Sequence, residues 1–307
     1  MDLWNLVDKK EIESVINQQI NKISKISLGY TNRIYLINEQ YVLRTCVNPH
    51  NFKNFCRASE FCQKYQNQVN CPRLISAKFD VETKTAWQVE ERVNGINLSE
   101  KWIRLSAQER DFVIRKICES LKQLHEIPIL EVFENSFSED DWMKKFQKDI
   151  AKKEKQLAEK GISNQVFKKI ENYLIEHSEV LLETDYKVCH TDLHFDNIMI
   201  DNALNIVFVD YDRLRISSLD YELDIINDMC HTPQLVLSNS TMGCLETNDF
   251  TEVLPLMKKY YPELFDFTDM NIRLAIYSIK HYLASLGYAK DKNQVFGILN
   301  SIVEENK

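Results

Sequence analysis

The chain has few glycines, few prolines and no excess of positive charge, and each shortage excludes a class of protein. Only 6 of its 307 residues are Gly and only 6 are Pro, which excludes a collagen-like or linker-dominated chain. Acidic residues outnumber basic ones by 46 to 38, so the formal net charge is −8. Because nucleic-acid binders need a basic face to displace counterions from phosphates, we expect no nucleic-acid partner. The acidic balance fits a cationic small molecule somewhat better, but solubility alone is the simpler explanation for it.

Long apolar runs are also missing. No stretch reaches the roughly 18 apolar residues that a membrane span requires. The first residues, Met1 to Lys10, carry acids where a secretion signal has a basic end followed by an apolar run. The 8 cysteines are scattered without a Cys-x-x-Cys pair, which is typical of reduced, mostly buried thiols. We therefore expect a cytoplasmic protein without a membrane partner.

The pattern of apolar residues differs between the first part of the chain and the rest. Strand-like apolar runs dominate the first part, where Ile34–Ile37 and Tyr41–Arg44 flank a short polar turn and predict a hairpin. Farther along, apolar residues recur at steps of three and four, as at Ile114, Ile117 and Leu121, which predicts amphipathic helices. Hydrophobic residues make up 44% of the chain, enough for a large core.

These two patterns, one strand-like and one helix-like, predict an α+β protein of two lobes. We expect a small antiparallel β lobe over residues 1–92 and a larger, mainly helical lobe over 93–307, with a hinge near Glu90 to Gly95. The informative polar residues fall in the second lobe and in the short apolar segments that interrupt its helices.

One polar cluster lies between two short apolar runs and carries most of the chemical information. It contains His190, Asp192 and Asn197, and Asp210 follows a second apolar strand. Phosphoryl transfer needs a carboxylate near the attacking hydroxyl and an amide and a second carboxylate that hold Mg²⁺. The order His, any residue, Asp, four residues, Asn is that of the kinase catalytic loop, with a metal-binding Asp downstream.

The β-rich part adds three features that kinases share. Gly29 opens a segment that resembles a phosphate-covering loop, Arg44 ends the next strand, and Glu60 falls in the following helix. Kinases place a phosphate-pairing Lys and its acidic partner at such positions.

Taken together, these residues resemble the aminoglycoside phosphotransferase and choline kinase family, small-molecule kinases of the bilobal protein-kinase-like fold. Its hallmark run is written here His190-Thr-Asp-Leu-His-Phe-Asp-Asn197. Leu121–Pro128 is similar to its Leu-His-x-x-Pro segment, and Asp220–Asp224 is similar to its Asp-Pro-x-x-Asp segment without the Pro. The similarity extends from about residue 26 to 228.

By that resemblance, the chemistry falls to four residues of the second lobe. Asp192 would be the catalytic base, and His190 would brace its loop by hydrogen bonds. Asn197 and Asp210 would bind Mg²⁺.

The same resemblance implies a nucleotide site in the β lobe. Arg44 would contact the phosphates of ATP with Glu60 as its ion-pair partner. Gly29 and Asn32 would belong to the phosphate-covering loop, and Glu91, beside Glu90 and Arg92, would offer backbone groups to the adenine.

An ordinary protein kinase fits this sequence poorly. The chain has no Gly-x-Gly-x-x-Gly and no Ala-Pro-Glu, and only nine residues separate Asp210 from Asp220, too few for an activation segment. Tyr-Asp follows Asp210 in place of Phe-Gly. We therefore predict an ATP- and Mg²⁺-dependent phosphotransferase acting on a hydroxyl of a small molecule. An aminoglycoside, choline or a similar amino alcohol, a sugar and homoserine are all compatible acceptors.

The alternative is a nucleotide-binding pseudokinase with a regulatory or partner-binding role. Arg44 in place of Lys and the single glycine, Gly29, motivate that alternative. The three polar positions Asp192, Asn197 and Asp210 are all intact and favour the enzyme.

Overall fold

The computed structural model describes residues 3–5, 7–26, 32–129, 142–238 and 247–305. Two compact units form, each from two stretches of chain. The first contains Met1–Leu124 and Phe195–Leu214, and the second contains His125–His194 and Arg215–Lys307. These units differ from the lobes 1–92 and 93–307 that the sequence predicts, and the division of function between those lobes stays a prediction.

A five-stranded antiparallel sheet forms the first part of the first unit, in the order β1-β2-β3-β5-β4. Its strands are β1 (Ile23–Lys25), β2 (Asn32–Ile37), β3 (Tyr41–Cys46), β4 (Leu74–Asp80) and β5 (Thr85–Glu91). The predicted hairpin is β2–β3, and its turn residues Asn38 and Glu39 both have positive φ, at 49° and 60°. The mixed α+β fold with an antiparallel amino-terminal sheet is thereby confirmed.

Two helices bury their apolar residues against this sheet. α1 (Lys9–Ile16) contributes Ile12 and Ile16 to a cluster with Leu43 and Val89 of the sheet. α2 (Phe52–Tyr65) contributes Phe55, which is fully buried. Full burial of one such side chain stabilises the fold by about 2 kcal/mol, so these contacts fix where α2 lies on the strands.

The remainder of the first unit surrounds a small three-stranded antiparallel sheet of β6 (Ile96–Asn97), β8 (Ile198–Ile200) and β9 (Ile206–Phe208). The helices α3 (Leu98–Trp102) and α4 (Ala107–His125) follow β6 along the chain. Gly95, just before β6, has φ +143° and lies so close to the Ile200 carbonyl that a Cβ would be 2.4 Å from its oxygen. Only glycine permits this approach.

The second unit is mainly helical around one two-stranded sheet, in which β7 (Tyr186–Cys189) pairs with β10 (Arg215–Ser218). Its helices are α5 (Trp142–Glu159), α6 (Val166–His177), α7 (Asp224–His231), α8 (Pro233–Val236), α9 (Val253–Tyr260), α10 (Met270–Ser285) and α11 (Lys292–Glu305). A buried apolar cluster joins α5, α6, α10 and α11. Among the helices within the described ranges, none has the length and apolar character that a bilayer crossing needs.

Candidate active site

The two predicted metal ligands lie at the same end of one hairpin. Asn197 directly precedes β8, and Asp210 follows β9 by two residues, while Ile198 pairs with Phe208 across the strands. The Val209 N–H donates to the Asn197 carbonyl oxygen at 2.9 Å and holds the two chain segments together. The strand pairing thus places Asn197 and Asp210 on neighbouring chain segments at one end of the hairpin.

Asp210 has an unusual backbone that the next residue secures. Its φ of +62° is in the left-handed region, which costs a non-glycine residue roughly 1 kcal/mol. Tyr211 is buried, stacks on Phe61 of α2 with ring centroids 5.6 Å apart, and donates its hydroxyl to the Asn70 carbonyl at 3.2 Å. These contacts oppose the strain and aim the Asp210 side chain.

The Arg44 guanidinium is buried between two carboxylates of this turn. Its Nη2 donates to Asp210 Oδ1 at 2.7 Å and to Asp212 Oδ1 at 3.1 Å. Burial by itself lowers the pKa of Arg44, but the charges of Asp212 and Asp210 outweigh it and raise the pKa above its ordinary value. Arg44 is therefore a permanent cation within this cluster.

The described ion pairs of Arg44 are with Asp210 and Asp212, and Glu60, the partner that the resemblance implies, is exposed on α2. The buried face of α2 instead includes Phe55, Ser59 and Cys62, at helical spacing. Ser59 donates its hydroxyl to Gln88, which lies opposite Arg44 across the β3–β5 ladder. The helix therefore presents a hydroxyl to the sheet where the resemblance implies a carboxylate.

Asp212 is held from its other side by two amides. Asn32 Nδ2 donates to Asp212 Oδ2 at 2.6 Å, and Asn51 Nδ2 donates to the same oxygen at 2.9 Å. The sequence assigns Asn32 to a phosphate-covering loop, whereas its amide here binds a buried carboxylate. Gly29, the other residue predicted for that loop, lies outside the described residues.

A third acid, Glu90, belongs to the same cluster. Burial raises the pKa of Glu90, while Arg44 opposes that rise and Asp210 and Asp212 add to it. Two carboxylates therefore contact one guanidinium and a third acid lies within electrostatic reach, so acidic groups outnumber the cation here. Carboxylate and amide oxygens with a surplus of negative charge are a donor set that suits Mg²⁺, so Asn197 and Asp210 fit the predicted ion.

The predicted nucleotide-binding residue Glu91 is exposed at the end of β5 and pairs with Arg73, with Nη1 and Oε1 3.3 Å apart. The Glu91 N–H donates to the Arg73 carbonyl at 2.9 Å, and the Arg92 N–H donates to the Gln40 carbonyl at 2.8 Å. Both backbone donors are thus engaged within the protein. The expected contact of Glu91 with adenine stays a prediction.

In the second unit, the predicted catalytic loop is fixed through its backbone by one carboxylate. The N–H of His190 donates to Glu222 Oε2 at 2.8 Å, and the N–H of Thr191 donates to Oε1 at 3.2 Å. Thr191 has φ +58°, a conformation that these bonds help to hold. Asp192 follows directly and is half-buried, and its carbonyl accepts the His194 N–H at 3.0 Å.

Glu222 is also bound by His125. His125 Nε2 lies 3.3 Å from Glu222 Oε2, and its Nδ1 lies 3.0 Å from the Tyr261 hydroxyl. Burial by itself raises the pKa of Glu222, but the hydrogen bond and charge of His125 and the contacts of His190 outweigh it and lower the pKa below its ordinary value. A buried carboxylate therefore stays ionised next to the predicted catalytic loop.

Cys189 completes this group, and the possible ligand atoms of His125, Cys189 and Glu222 lie within 4.8 Å of one another. Hydrogen bonding accounts for the proximity, because N–H groups already occupy both Glu222 oxygens. Burial raises the pKa of the Cys189 thiol, so it is protonated. We interpret the group as a support for the loop rather than a metal site.

The sequence model of the phosphotransferase enzyme family, APH, matches residues 22–234 of the chain. The protein belongs to this phosphotransferase family. Among curated proteins, no sequence matches the chain.

Solved aminoglycoside phosphotransferases share the fold over nearly the whole chain. The gentamicin complex of APH(2'')-IIa superposes with a TM-score of 0.69 at 17% identity, covering 99% of this chain and 96% of that one. A GDP complex of aminoglycoside 2'-phosphotransferase-IIIa gives 0.68 at 12% identity, with 98% of each chain covered. APH(4)-Ia gives 0.67 at 14% identity, with 99% of each covered. At such low identity the likeness establishes the kinase-like fold alone.

The contacts of three site residues carry no signal in the sequence. Asp212 lies in an Asp-Tyr-Asp run that is compatible with either a substrate-facing acid or a solvated loop residue, whereas the structure buries it against Arg44. Asn51 precedes α2 without any local pattern that predicts a long-range partner. Glu222 lies in a segment that resembles the family, but its contacts with the loop depend on tertiary structure.

Proposed function

We propose that this protein transfers the γ-phosphoryl group of ATP, with Mg²⁺, to a hydroxyl of a small molecule. The observation that supports this most is the charge cluster around Arg44. A cation and an acidic excess sit beside the hairpin end that carries Asn197 and Asp210. Family membership adds independent support for phosphoryl transfer.

Four residues take distinct parts in the proposed reaction. Asp192 aligns the acceptor hydroxyl and accepts its proton as the oxygen attacks phosphorus. Asn197 and Asp210 hold Mg²⁺, which neutralises charge on the nucleotide phosphates when bound. Arg44 adds a permanent positive charge toward those phosphates. Catalysis then consists mainly of positioning and electrostatic stabilisation.

We propose a cationic acceptor, and an aminoglycoside as the first to be tested. The net charge of −8 favours attraction of a cation over an anion. The related structures include a gentamicin complex and a streptomycin–ATP ternary complex of APH(2'')-IIa. Choline, other amino alcohols, sugars and homoserine are the remaining classes in the proposal.

The test is a coupled assay of ADP release with Mg·ATP over a panel of these acceptors. One acceptor class is expected to raise ADP release well above background hydrolysis. Asp192→Asn should lower kcat by roughly 100- to 10,000-fold, the usual contribution of a general base. Asp185→Asn is the matched control, since this carboxylate is half-exposed and pairs with Lys187 on the surface. Equal activity of the Asp192 variant and the parent would contradict the proposed role.

A nucleotide-binding regulator is the second candidate. The contact of Arg44 with Asp210 favours it, because a cation already occupies an oxygen that Mg²⁺ would use. Tight Mg·ATP binding without transfer to any acceptor of the panel would support this candidate over the enzyme.

A further inference from the structure

The Asp212 carboxylate of the first unit is held by contacts at both of its oxygens. Its side chain is only 9% exposed, and its two oxygens have separate partners. Oδ2 accepts the amides of Asn32 and Asn51, which leaves Oδ1 directed at Arg44. A carboxylate oriented in this way from behind is suited to hold a guanidinium in one position.

We infer that Asp212 is the positioning residue of Arg44 and takes the part that the family resemblance implies for Glu60. This inference rests on the proposed function, since it concerns the residue proposed to contact the nucleotide phosphates. Arg44 and Asp212 are 168 residues apart in sequence, yet both are buried and joined by a 3.1 Å contact. Glu60 is exposed on α2, and its helix presents Ser59 to the sheet instead.

The two carboxylates beside Arg44, Asp210 and Asp212, have different environments, which indicates different roles. The Asp210 side chain is 41% exposed, so its oxygens are accessible to a metal ion. The Asp212 carboxylate is enclosed by amides. If Asp210 bound a metal ion instead of Arg44, Asp212 would still hold Arg44 in place.

The geometry of the guanidinium leaves donors for a phosphate. Both acidic contacts use Nη2, so neither engages Nη1 or Nε. An Arg fork can therefore keep one edge on Asp212 and present another to a phosphate oxygen. Loss of Asp212 is expected to weaken binding of ligands that carry phosphates and to spare those that lack them.

The test is a double-mutant cycle read by calorimetric binding of Mg·ADP and of adenosine. Asp212→Asn and Arg44→Gln are each expected to weaken Mg·ADP binding by about tenfold, the usual effect of losing one charge-assisted contact. The double variant should be no weaker than Arg44→Gln, because Asp212 acts through Arg44. Adenosine affinity should stay unchanged in all three, which a general loss of structure would not produce.

Glu60→Gln is the matched comparison, since it makes the same carboxyl-to-amide change at the position that the resemblance implies. It is expected to leave Mg·ADP binding unchanged. Where Asp212→Asn fails to fold by thermal unfolding, Asn51→Ala replaces it. That variant removes one of the two amides on Asp212 and should weaken Mg·ADP by a smaller factor, again without an effect on adenosine.

The possible failures are distinguishable. Unchanged Mg·ADP binding in Asp212→Asn, or an equal loss in Glu60→Gln, would overturn the inference while leaving the nucleotide site intact. Additive losses in the double variant would overturn it as well. No binding of Mg·ADP by the wild type would instead overturn the proposed function on which the inference depends.

Discussion

Two buried charge clusters of the described residues, one around Arg44 and one around Glu222, differ in how completely their charges are matched. In the first unit, Asp210 and Asp212 contact Arg44 and Glu90 lies within electrostatic reach, so acidic groups outnumber the cation. In the second unit, Glu222 is one carboxylate, fully buried, whose oxygens accept the N–H groups of a loop and contact a histidine. The Arg44 cluster therefore has surplus negative charge and includes the partly exposed Asp210. In the Glu222 cluster, both carboxylate oxygens already have hydrogen-bond partners.

This difference distinguishes a cluster that is suited to bind a ligand from one that stabilises the surrounding structure. Surplus charge in a desolvated place is costly unless a ligand of opposite charge arrives, so it indicates a site. A fully hydrogen-bonded buried charge has nothing left to offer a ligand and stiffens its surroundings. On this basis the Arg44 cluster is proposed to take the metal and nucleotide, whereas the Glu222 cluster holds the loop that carries Asp192.

Removal of Glu222 should produce the largest loss of stability. Glu222→Ala leaves the N–H groups of His190 and Thr191 and the ring of His125 without their acceptor. We expect the free energy of unfolding to fall by about 3–5 kcal/mol, as for other buried charged networks. Urea denaturation measures it, with Glu176→Ala as the control because that side chain is 73% exposed. A loss in Glu222→Ala no larger than that in Glu176→Ala would contradict the supporting role of Glu222.

Removal of Arg44 should cost less, because one of its partners remains in contact with water. Arg44→Met leaves Asp212 buried with only its two amides, while the half-exposed Asp210 is resolvated. We expect a loss of about 2 kcal/mol in the free energy of unfolding by urea denaturation. A loss as large as that of Glu222→Ala would indicate that the Arg44 cluster is mainly structural.

Lowering the pH below about 4.5 should remove the stabilisation that ionised Glu222 provides. We expect this loss to be smaller than that of either substitution. The pKa of Glu222 is lowered in the folded protein from an ordinary value of 4.5, so its stabilisation is complete above about pH 4.5. That contribution is lost as the pH falls through the lowered pKa. Stability measured against pH should therefore decline less steeply on the acid side in Glu222→Gln than in the wild type. Parallel declines would contradict the ionised state of Glu222.

The sequence predicts those features that depend on local pattern. The apolar runs on either side of a polar turn predict the hairpin β2–β3. The spacing of His190, Asp192, Asn197 and Asp210 predicts the candidate catalytic loop and metal ligands. The amphipathic pattern of α2 also contains a signal against Glu60, since the buried positions Phe55, Ser59 and Cys62 leave Glu60 on the outside.

What sequence reasoning could not supply is the set of contacts between distant segments. Asp212 meets Asn32, Arg44 and Asn51 across more than 160 residues, and no periodicity encodes that meeting. The resemblance implies a partner for the cation on α2, whereas the acids in contact with Arg44 are Asp210 and Asp212. The contacts of Glu222 cannot be predicted from spacing either, because its partners His125 and His190 lie 97 and 32 residues away in sequence.

The most direct test of the proposed site is the Mg²⁺ dependence of ADP binding in the wild type and in Asp210→Asn, measured by titration calorimetry. If Asp210 holds the metal, Mg²⁺ should strengthen ADP binding to the wild type by about tenfold or more and have little effect in the variant. An equal effect of Mg²⁺ on both proteins would contradict the assignment of the Arg44 cluster as the metal and nucleotide site.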